Sequence, residues 1–224
     1  MKLTNRLNTV VCLVTGKTVA DVGCDHGKVP IKLILDGKCD NVIASDVNKG
    51  PADACRKNVA KFGLSDKIDI RCGSGISVLK PYEVETVVVA GMGGELIADI
   101  IDSQKEIADS VKEFVLQPMT SEEVLRDFLQ KNGYSINCEK LAQEGNKIYV
   151  IMRVCKGNDA DNIYFPSKLK HNDIELVDSY FAKVSKRLTQ KINGCHLDNK
   201  CDEEEQYTKI LNEVRDIYES IRNN

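Results

Sequence analysis

The 224-residue sequence lacks the patterns of a metal site or a membrane protein. None of its nine cysteines forms a pair with two residues between them, and it has only three histidines, so no zinc site is expected. No apolar run approaches the roughly 20 residues that span a bilayer. The first residues carry no apolar signal-peptide core, so we expect a cytoplasmic protein without a membrane partner.

The charge balance excludes one class of protein. A net charge of −3 rules out a globally basic nucleic-acid binder but leaves room for a local basic patch. A hydrophobic content of 42% is enough for a packed core. The length suits one domain of ordinary size with an appendage.

Strand-like and helix-like segments alternate from residue 18 to about residue 132. This alternation predicts an α/β, Rossmann-like fold with a mostly parallel sheet. The predicted parallel strands are 18–22, 42–45, 68–72, 86–90 and 114–117. The predicted helices between and after them are 28–35, 51–62, 95–101 and 121–131. Two strand-like runs, 134–141 and 147–154, then form a β-hairpin that completes a seven-stranded sheet.

The turn between the first strand and its helix is the strongest sign of a ligand site. Residues 21–27 read Asp-Val-Gly-Cys-Asp-His-Gly, and Asp46 ends the next strand. Glycines let the backbone approach a ligand closely, and an acid at Asp46 can accept hydrogen bonds from both hydroxyls of a ribose. A nucleotide-like ligand is therefore expected here. The alternative is an ordinary tight turn.

The dinucleotide pattern G-x-G-x-x-G is absent, and Asp25 would repel a pyrophosphate at short range. A nucleoside with an amino-acid tail, such as S-adenosylmethionine, fits better. The β-hairpin that ends the sheet also favours methyltransferases that use this cofactor over NAD-dependent dehydrogenases. The cofactor-binding residues are then predicted to be Asp21, Gly23, Cys24, Gly27, Asp46, Val47, Gly73, Ser74, Gly75, Gly91 and Met92.

Two further loops at the same edge of the sheet suit a flat acceptor base. Residues 91–94, Gly-Met-Gly-Gly, leave space beside the cofactor, and we expect Gly93 to contact the base. Gln117 is a candidate for a hydrogen bond to the base edge, in a loop made rigid by Pro118. The Asn/Asp-Pro-Pro-aromatic sequence usual for methylation of adenine N6 is absent.

The C-terminal part has a different pattern. We expect a methyltransferase domain at 1–156, a polar linker at 156–162 and a coiled-coil-like helical hairpin at 163–224 that breaks at 193–199. The first helix carries a candidate phosphate-binding face, and the alternative is a solvated surface paired with its acidic neighbour. The basic residues of this face are Lys183, Lys186, Arg187 and Lys191.

Four motifs together resemble the bacterial tRNA (adenine(22)-N1)-methyltransferase family. They lie at 21–27, 44–51, 91–94 and 116–119, and the resemblance by motif covers about residues 1–155. It implies transfer of a methyl group from S-adenosylmethionine to N1 of an adenine in the D-arm region of tRNA, with S-adenosylhomocysteine as the other product. It also implies that the helical hairpin contacts tRNA, and Arg6 is a further candidate for a phosphate contact.

The chemistry assigns roles to two residues of the first turn. Neutral adenine N1 already has a lone pair, so catalysis rests on positioning and on stabilising the positive charge that methylation leaves on the base. A carboxylate beside the base would stabilise this charge, and Asp25 is the first candidate for it. His26 is a candidate hydrogen-bonding or proton-accepting partner. The alternatives are a helix cap for Asp25 and a backbone-bonded turn residue for His26.

Other functions remain open at this level. The acceptor could be a small molecule or a protein side chain, and a non-catalytic tRNA-binding protein could retain the nucleoside pocket. An NAD-dependent enzyme is a third alternative, disfavoured by the turn. No obligate protein partner is indicated, and we expect a monomer.

Overall fold

The computed structural model describes residues 1–223, which form a seven-stranded sheet flanked by helices. The strand order is β3-β2-β1-β4-β5-β7-β6; β1 to β5 are parallel, and β7 runs antiparallel to both β5 and β6. The predicted mostly parallel sheet with a terminal hairpin is confirmed. The strands are β1 (Thr18–Val22), β2 (Asn41–Asp46), β3 (Ile68–Cys72), β4 (Thr86–Met92), β5 (Glu113–Pro118), β6 (Tyr134–Glu144) and β7 (Lys147–Lys156).

Eight α-helices accompany the strands in the described residues. The four predicted within the parallel region are present, with bounds that differ by two residues at most. A short helix at Lys105–Ser110 was not predicted, because six residues are too few to show helical periodicity. The helices are α1 (Asn5–Leu13), α2 (Lys28–Leu35), α3 (Lys49–Lys61), α4 (Gly94–Asp102), α5 (Lys105–Ser110), α6 (Glu122–Lys131), α7 (Ile174–Leu197) and α8 (Cys201–Arg222).

The central strands are buried on both faces, as their unbroken apolar sequences predict. In β4, Val87 and Val89 face one hydrophobic cluster while Val88 faces the other, and all three are fully buried. The first cluster includes α4, α6 and the C-terminal helices, and the second includes α1, α2 and α3. This double burial fixes the register of β1 and β4, whose carboxyl ends carry the two glycine turns.

The C-terminal helices form the predicted hairpin, but its break is shorter than expected. α7 continues through Asn193 and Gly194 to Leu197, and only residues 198–200 separate it from α8. Val184 and Leu188 of α7 and Val214 of α8 belong to the same buried cluster as the sheet. The hairpin therefore packs onto the rest of the protein through apolar contacts. None of the helices in residues 1–223 has the length and apolar character to cross a membrane.

The polar segment after β7 is tied down by its own side chains. A carboxylate oxygen of Asp159 accepts from the backbone N–H of Ile136 at 2.9 Å, and Asp161 accepts from the N–H of Ser167 at 2.9 Å. The predicted linker is thus a hydrogen-bonded connection against β6, because its acidic residues satisfy backbone donors.

A buried ion pair links α6, β6 and α7. The guanidinium of Arg126 pairs with Glu139, and both side chains are about fully buried, at 1% and 0% exposure. Arg126 also donates to the carbonyl oxygen of Ile163 at 2.8 Å and to the hydroxyl of Tyr180 at 3.3 Å. Arg126 therefore joins α7 to the sheet, since it binds Tyr180 of α7 and Glu139 of β6.

Candidate active site

The turn after β1 is held against β2 by its own backbone. The N–H groups of Gly23 and Cys24 both donate to the carbonyl oxygen of Ser45, each at 2.8 Å. Gly23 and Gly27 have φ angles of +79° and +72°, which favour glycine. A Cβ atom on Gly27 would lie 2.6 Å from Sγ of Cys55, so α3 packs directly on the turn. The two N–H groups in the turn are therefore not free to bind a ligand.

Two cavities meet at the carboxyl ends of β1 and β4. The first, here named the Asp46 cavity, has a volume of about 320 Å³ and is lined by Asp46, Ser74 and Met92 among others. The second, here named the Asp25 cavity, has a volume of about 380 Å³ and is lined by residues that include Asp25 and Arg6. Gly23, Ala90 and Gly91 border both cavities.

The predicted cofactor residues divide between the two cavities. Asp21 and Cys24 line the Asp25 cavity, whereas Gly27 lines neither because Cys55 covers it. Gly23 and Gly91 line both. The Asp46 cavity alone is lined by Asp46, Val47, Gly73, Ser74, Gly75 and Met92. The structure thus brings together ten of the eleven residues that the sequence assigned to the cofactor.

The Asp46 cavity is bounded by short loops after β2 and β3. An oxygen of the Asp46 side chain accepts from the N–H of Asn48 at 2.9 Å, and the Asp46 carbonyl accepts from the N–H of Gly73 at 3.0 Å. These bonds fix the carboxylate at the cavity wall. An Asp side chain can accept several hydrogen bonds, so one bond to Asn48 leaves capacity for a ligand.

Asp21 and Asp46 make the site acidic. Asp21 is 4% exposed, and its burial, followed by the charge of Asp46, raises the pKa of its carboxyl to about 7. Within residues 1–223, the Asp21 side chain has no hydrogen bond or salt bridge. A hydrogen bond donated by the Cys24 thiol to Cys55, together with burial, raises the pKa of Cys24, which stays protonated at neutral pH. A cationic ligand group would relieve the repulsion between the two carboxylates.

Asp25 and His26 are exposed at the mouth of the Asp25 cavity. Nε2 of His26 lies 3.6 Å from Oδ1 of Asp25, and the two side chains are 54% and 68% exposed. Asp25 has a φ of +46°, a conformation that Asp tolerates better than most residues. The first residue before α2 is Gly27, with no side-chain cap, so Asp25 does not cap this helix. Its carboxylate remains available to the cavity.

The structure gives Gln117 a different place from the one predicted. Gln117 is completely buried; Oε1 accepts from Nη1 of Arg6 at 2.5 Å, and Nε2 donates to the carbonyl of Pro118 at 2.7 Å. Both ends of the amide are therefore used inside the protein. Gln117 orients Arg6 and is not placed to read a base edge. Pro118 is also buried, as the last residue of β5.

Arg6 lies inside the site and not on an exposed phosphate-binding surface. Besides Gln117, it has Glu144 as an ion-pair partner, with Nε 3.6 Å from Oε1, and its guanidinium carbon is 5.6 Å from the centre of the Tyr149 ring. A Cβ atom on Gly91 would lie 3.8 Å from Nη1 of Arg6. Sequence reasoning missed this network because Gln117 and Glu144 are more than a hundred residues from Arg6 along the chain.

Only one of the three glycines from the end of β4 to the start of α4, Gly91, borders the cavities. Gly91 has a φ of +86° at a shift in the β4–β5 register. A Cβ atom on Gly93 would lie 3.3 Å from Oγ1 of Thr120, and one on Gly94 would lie 2.2 Å from the carbonyl oxygen of Ser121. Gly93 and Gly94 therefore let α4 begin against the loop after β5. The sequence predicted that these glycines clear space for a base and that Gly93 contacts it; their packing against this loop does not support that prediction.

The basic face of α7 pairs with acidic residues of α6. Lys183 lies 2.5 Å and Arg187 3.0 Å from the buried carboxylate of Glu122, and Lys191 lies 3.8 Å from Glu123. These acids belong to α6, not to the neighbouring helix of the hairpin. Lys186 is exposed and has no ion pair with residues 1–223. Contact of this face with phosphate stays a prediction, and Lys186 is its best-placed member.

Comparison with known proteins gives the family. A methyltransferase-domain model matches residues 3–152. The chain is also 30% identical over 222 residues to the tRNA (adenine(22)-N(1))-methyltransferase of Bacillus subtilis, covering 99% of this chain and 86% of that protein. The chain belongs to the tRNA (adenine(22)-N(1))-methyltransferase family. The resemblance that four motifs carried in the sequence is confirmed.

Two solved structures superpose on nearly the whole of this chain. The Mycoplasma capricolum TrmK complex with S-adenosylhomocysteine superposes with a TM-score of 0.79 at 28% identity, covering 99% of each chain. A Streptococcus pneumoniae protein in complex with S-adenosyl-L-methionine gives a TM-score of 0.81 at 28% identity, covering 97% of this chain and 100% of that one. The C-terminal helices are thus shared with these proteins.

Proposed function

We propose that this protein transfers a methyl group from S-adenosylmethionine to N1 of adenine 22 in tRNA. The products are 1-methyladenosine and S-adenosylhomocysteine. The observation that carries the proposal is the junction of the Asp46 and Asp25 cavities at Gly23, Ala90 and Gly91, from which we infer a donor pocket beside an acceptor pocket. The family supports the identity of both substrates.

The residues at this junction fit S-adenosylmethionine. Asp46 would accept the ribose hydroxyls in the Asp46 cavity, whose loops also supply the hydroxyl of Ser74. Asp21, a buried carboxyl without a protein partner in the described residues, lines the Asp25 cavity; there it would hold the ammonium group of the amino-acid tail, which reaches across the junction from the Asp46 cavity. Two close carboxylates suit a ligand that carries positive charge. The bound cofactor supplies a methyl group on a positively charged sulfur.

On the acceptor side, the protein has to hold adenine N1 in line with that methyl group. Alignment of the reacting atoms accounts for much of the rate in such transfers, because N1 needs no base to become a nucleophile. The Asp25 carboxylate is exposed and does not cap α2. It would stabilise the positive charge on the methylated base and accept a hydrogen bond from N6. His26 pairs with Asp25 and would orient it.

The adenine must leave its stack to reach the Asp25 cavity, since pairing hides N1. The RNA backbone then needs a basic surface near the cavity mouth. Lys186 on α7 is a candidate for such a contact, whereas Arg6 lines the cavity itself. Residues 163–224 are the proposed tRNA-binding appendage to the domain at 1–156, and we retain a cytoplasmic monomer as part of the proposal.

Binding of S-adenosylmethionine should strengthen as the pH rises through about 7. The ammonium group prefers the ionised form of Asp21, whose pKa in the free protein is raised to about 7, so binding expels a proton from this carboxyl. Below pH 7, affinity should fall by up to about tenfold per pH unit. Isothermal titration calorimetry from pH 5.5 to 8.5 measures this dependence. In Asp21→Asn the affinity should be weaker and nearly independent of pH over this range; an unchanged slope would exclude Asp21 as the group.

Asp25→Asn should lower kcat by about a hundredfold, the usual scale for loss of one preorganised electrostatic group, while the Kd of S-adenosylmethionine stays the same. The carboxylate acts on charge that develops in the base, so its loss affects the transition state and not cofactor binding. Single-turnover methyl transfer to tRNA measures the effect. Asp40→Asn, at an exposed carboxylate just before β2 and so at the opposite end of this strand from Asp46, is the control. Equal rates for the two variants would remove Asp25 from the mechanism.

The proposal itself is tested with two tRNA transcripts that differ only at position 22. Label from S-adenosylmethionine should enter the transcript with adenine at this position and not the one with guanine. Transfer to both transcripts would show that the methyl group is accepted at a position other than 22. Cofactor and tRNA binding without transfer to any transcript would favour the non-catalytic alternative.

A further inference from the structure

A third cavity is lined by Tyr149, whose ring lies beneath the guanidinium of Arg6. It has a volume of about 470 Å³ and lies between the loop after β5, the β6–β7 turn and α7. This space is within the range of small-ligand pockets, about 300–1,000 Å³. Its main lining residues are Met119, Asn146, Lys147, Tyr149, Ser179 and Lys183, and we name it the Tyr149 cavity.

The Tyr149 cavity combines the groups that bind a nucleotide. Met119, 37% exposed, and the small exposed part of Tyr149, 8%, offer apolar surface for a flat ring. Asn146 and Ser179 offer hydrogen-bonding groups for base or sugar. Lys147 is exposed and has no ion pair with residues 1–223. A second cation, Lys183, is fixed at the cavity wall by Glu122 at 2.5 Å.

Arg6 connects this cavity to the one that receives the target base. Its guanidinium lines the Asp25 cavity, and the same group lies over the ring of Tyr149, 5.6 Å from its centre. Gln117 and Glu144 hold Arg6 in this position. Gln117 also donates to Sδ of Met119 at 3.6 Å, so the walls of the two cavities are joined by one network.

We propose that the Tyr149 cavity binds a nucleoside next to the target adenosine in the tRNA. Its base lies against Tyr149 and Met119, and its phosphate lies near Lys147. Holding a neighbour of the target outside the stack would help to keep the adenosine itself turned into the Asp25 cavity. This inference rests on the proposed function, since it needs RNA as the substrate.

Filling the cavity tests the inference. Ser179→Trp should raise the KM for tRNA about tenfold, the lower part of the range for loss of one stacked base, and leave kcat at saturating tRNA and the KM for S-adenosylmethionine unchanged. Ser65→Trp makes the same substitution at an exposed position before β3, outside both the cavity and the proposed tRNA-binding appendage, and serves as control. Circular dichroism melting confirms that both variants fold. Equal KM values for the two variants would overturn the inference.

A substrate change provides the second arm. A tRNA that lacks the base on one side of the target adenosine should show a KM about tenfold higher with the natural enzyme, and Ser179→Trp should add little to that increase, because both changes remove the same contact. Fully additive effects, or no effect of either neighbouring base, would overturn the subsite. Failure of the natural enzyme to methylate intact tRNA would overturn the proposed function itself, so the two failures are distinguishable.

Charge reversal separates the phosphate contact from general repulsion. Lys147→Glu should raise the KM for tRNA and reduce the salt dependence of binding by about one phosphate contact. Lys61→Glu makes the same charge change at an exposed position at the end of α3, outside the proposed tRNA-binding appendage, and should leave both quantities close to their natural values. Identical salt slopes for these two variants would contradict a phosphate at Lys147.

Discussion

Glu139→Leu is expected to lower the free energy of unfolding by about 3–5 kcal/mol, the cost of removing one partner of a buried ion pair. The substitution leaves the guanidinium of Arg126 buried, at about 1% exposure, without its carboxylate partner. The hydroxyl of Tyr180 and the carbonyl of Ile163 remain as partners, but neither carries a compensating charge. Urea unfolding followed by circular dichroism measures the change.

The double variant Arg126→Met/Glu139→Leu is the control for this expectation. Replacing both charges by apolar side chains of similar size is often close to neutral, because no buried charge is left uncompensated. The double variant should therefore recover most of the stability that Glu139→Leu loses. A double variant that is less stable than Glu139→Leu would show that Arg126 acts through its other hydrogen bonds and not through this pair.

Asp46→Ala is expected to weaken binding of S-adenosylmethionine by about 10²–10⁴-fold. The carboxylate is fixed at the cavity wall by the N–H of Asn48, and the proposal assigns to it hydrogen bonds from both ribose hydroxyls. Each hydrogen bond to a charged group contributes about 1.5–3 kcal/mol, and about 1.4 kcal/mol corresponds to a factor of ten. Isothermal titration calorimetry with S-adenosylhomocysteine and with S-adenosylmethionine measures both affinities.

The control for Asp46→Ala is Asp66→Ala, at an exposed aspartate before β3 that has no ion pair within residues 1–223. The Asp46→Ala substitution also affects the pKa of Asp21, because the charge of Asp46 is the second cause, after burial, of its raised value. In Asp46→Ala the pKa of Asp21 should move down toward its ordinary value without reaching it. Unchanged affinity in Asp46→Ala would exclude the ribose contact.

The sequence predicts those parts of the fold and site that depend on local pattern. The run 86–90 of five residues identifies a strand buried on both faces, and β4 contains it. Asp46 ends a strand beside the glycine turn, and the structure places it on the cavity wall. Parallel strands bring their carboxyl ends to one edge, so the position of these residues follows from the order of the elements.

The parts that the sequence did not predict depend on contacts between distant segments. Gln117 looks like a free amide in a loop, yet Arg6 and Pro118 occupy both its ends. Lys183 and Arg187 look like a free basic face, yet they share the buried carboxylate of Glu122. No periodicity records such pairs, because each side chain is polar and its burial is decided by tertiary packing.

The start of α6 gives a local example of the same limit. Residues 120–123 have the composition of a capping box, but Ser121 has a φ of +55° and makes no cap bond. Its carbonyl oxygen instead lies where a side chain on Gly94 would be, 2.2 Å from the position of a Cβ atom. The close approach of α4 decides the conformation of this turn.

The most direct test of the account is nucleoside mass spectrometry on tRNA treated with the protein and S-adenosylmethionine with a deuterated methyl group. The account predicts that the label appears in 1-methyladenosine, at position 22 and at no other site, and that reverse transcription stops there. Label in N6-methyladenosine, in another nucleoside or at another position would contradict the assignment of N1 as the nucleophile held between the Asp25 cavity and the cofactor.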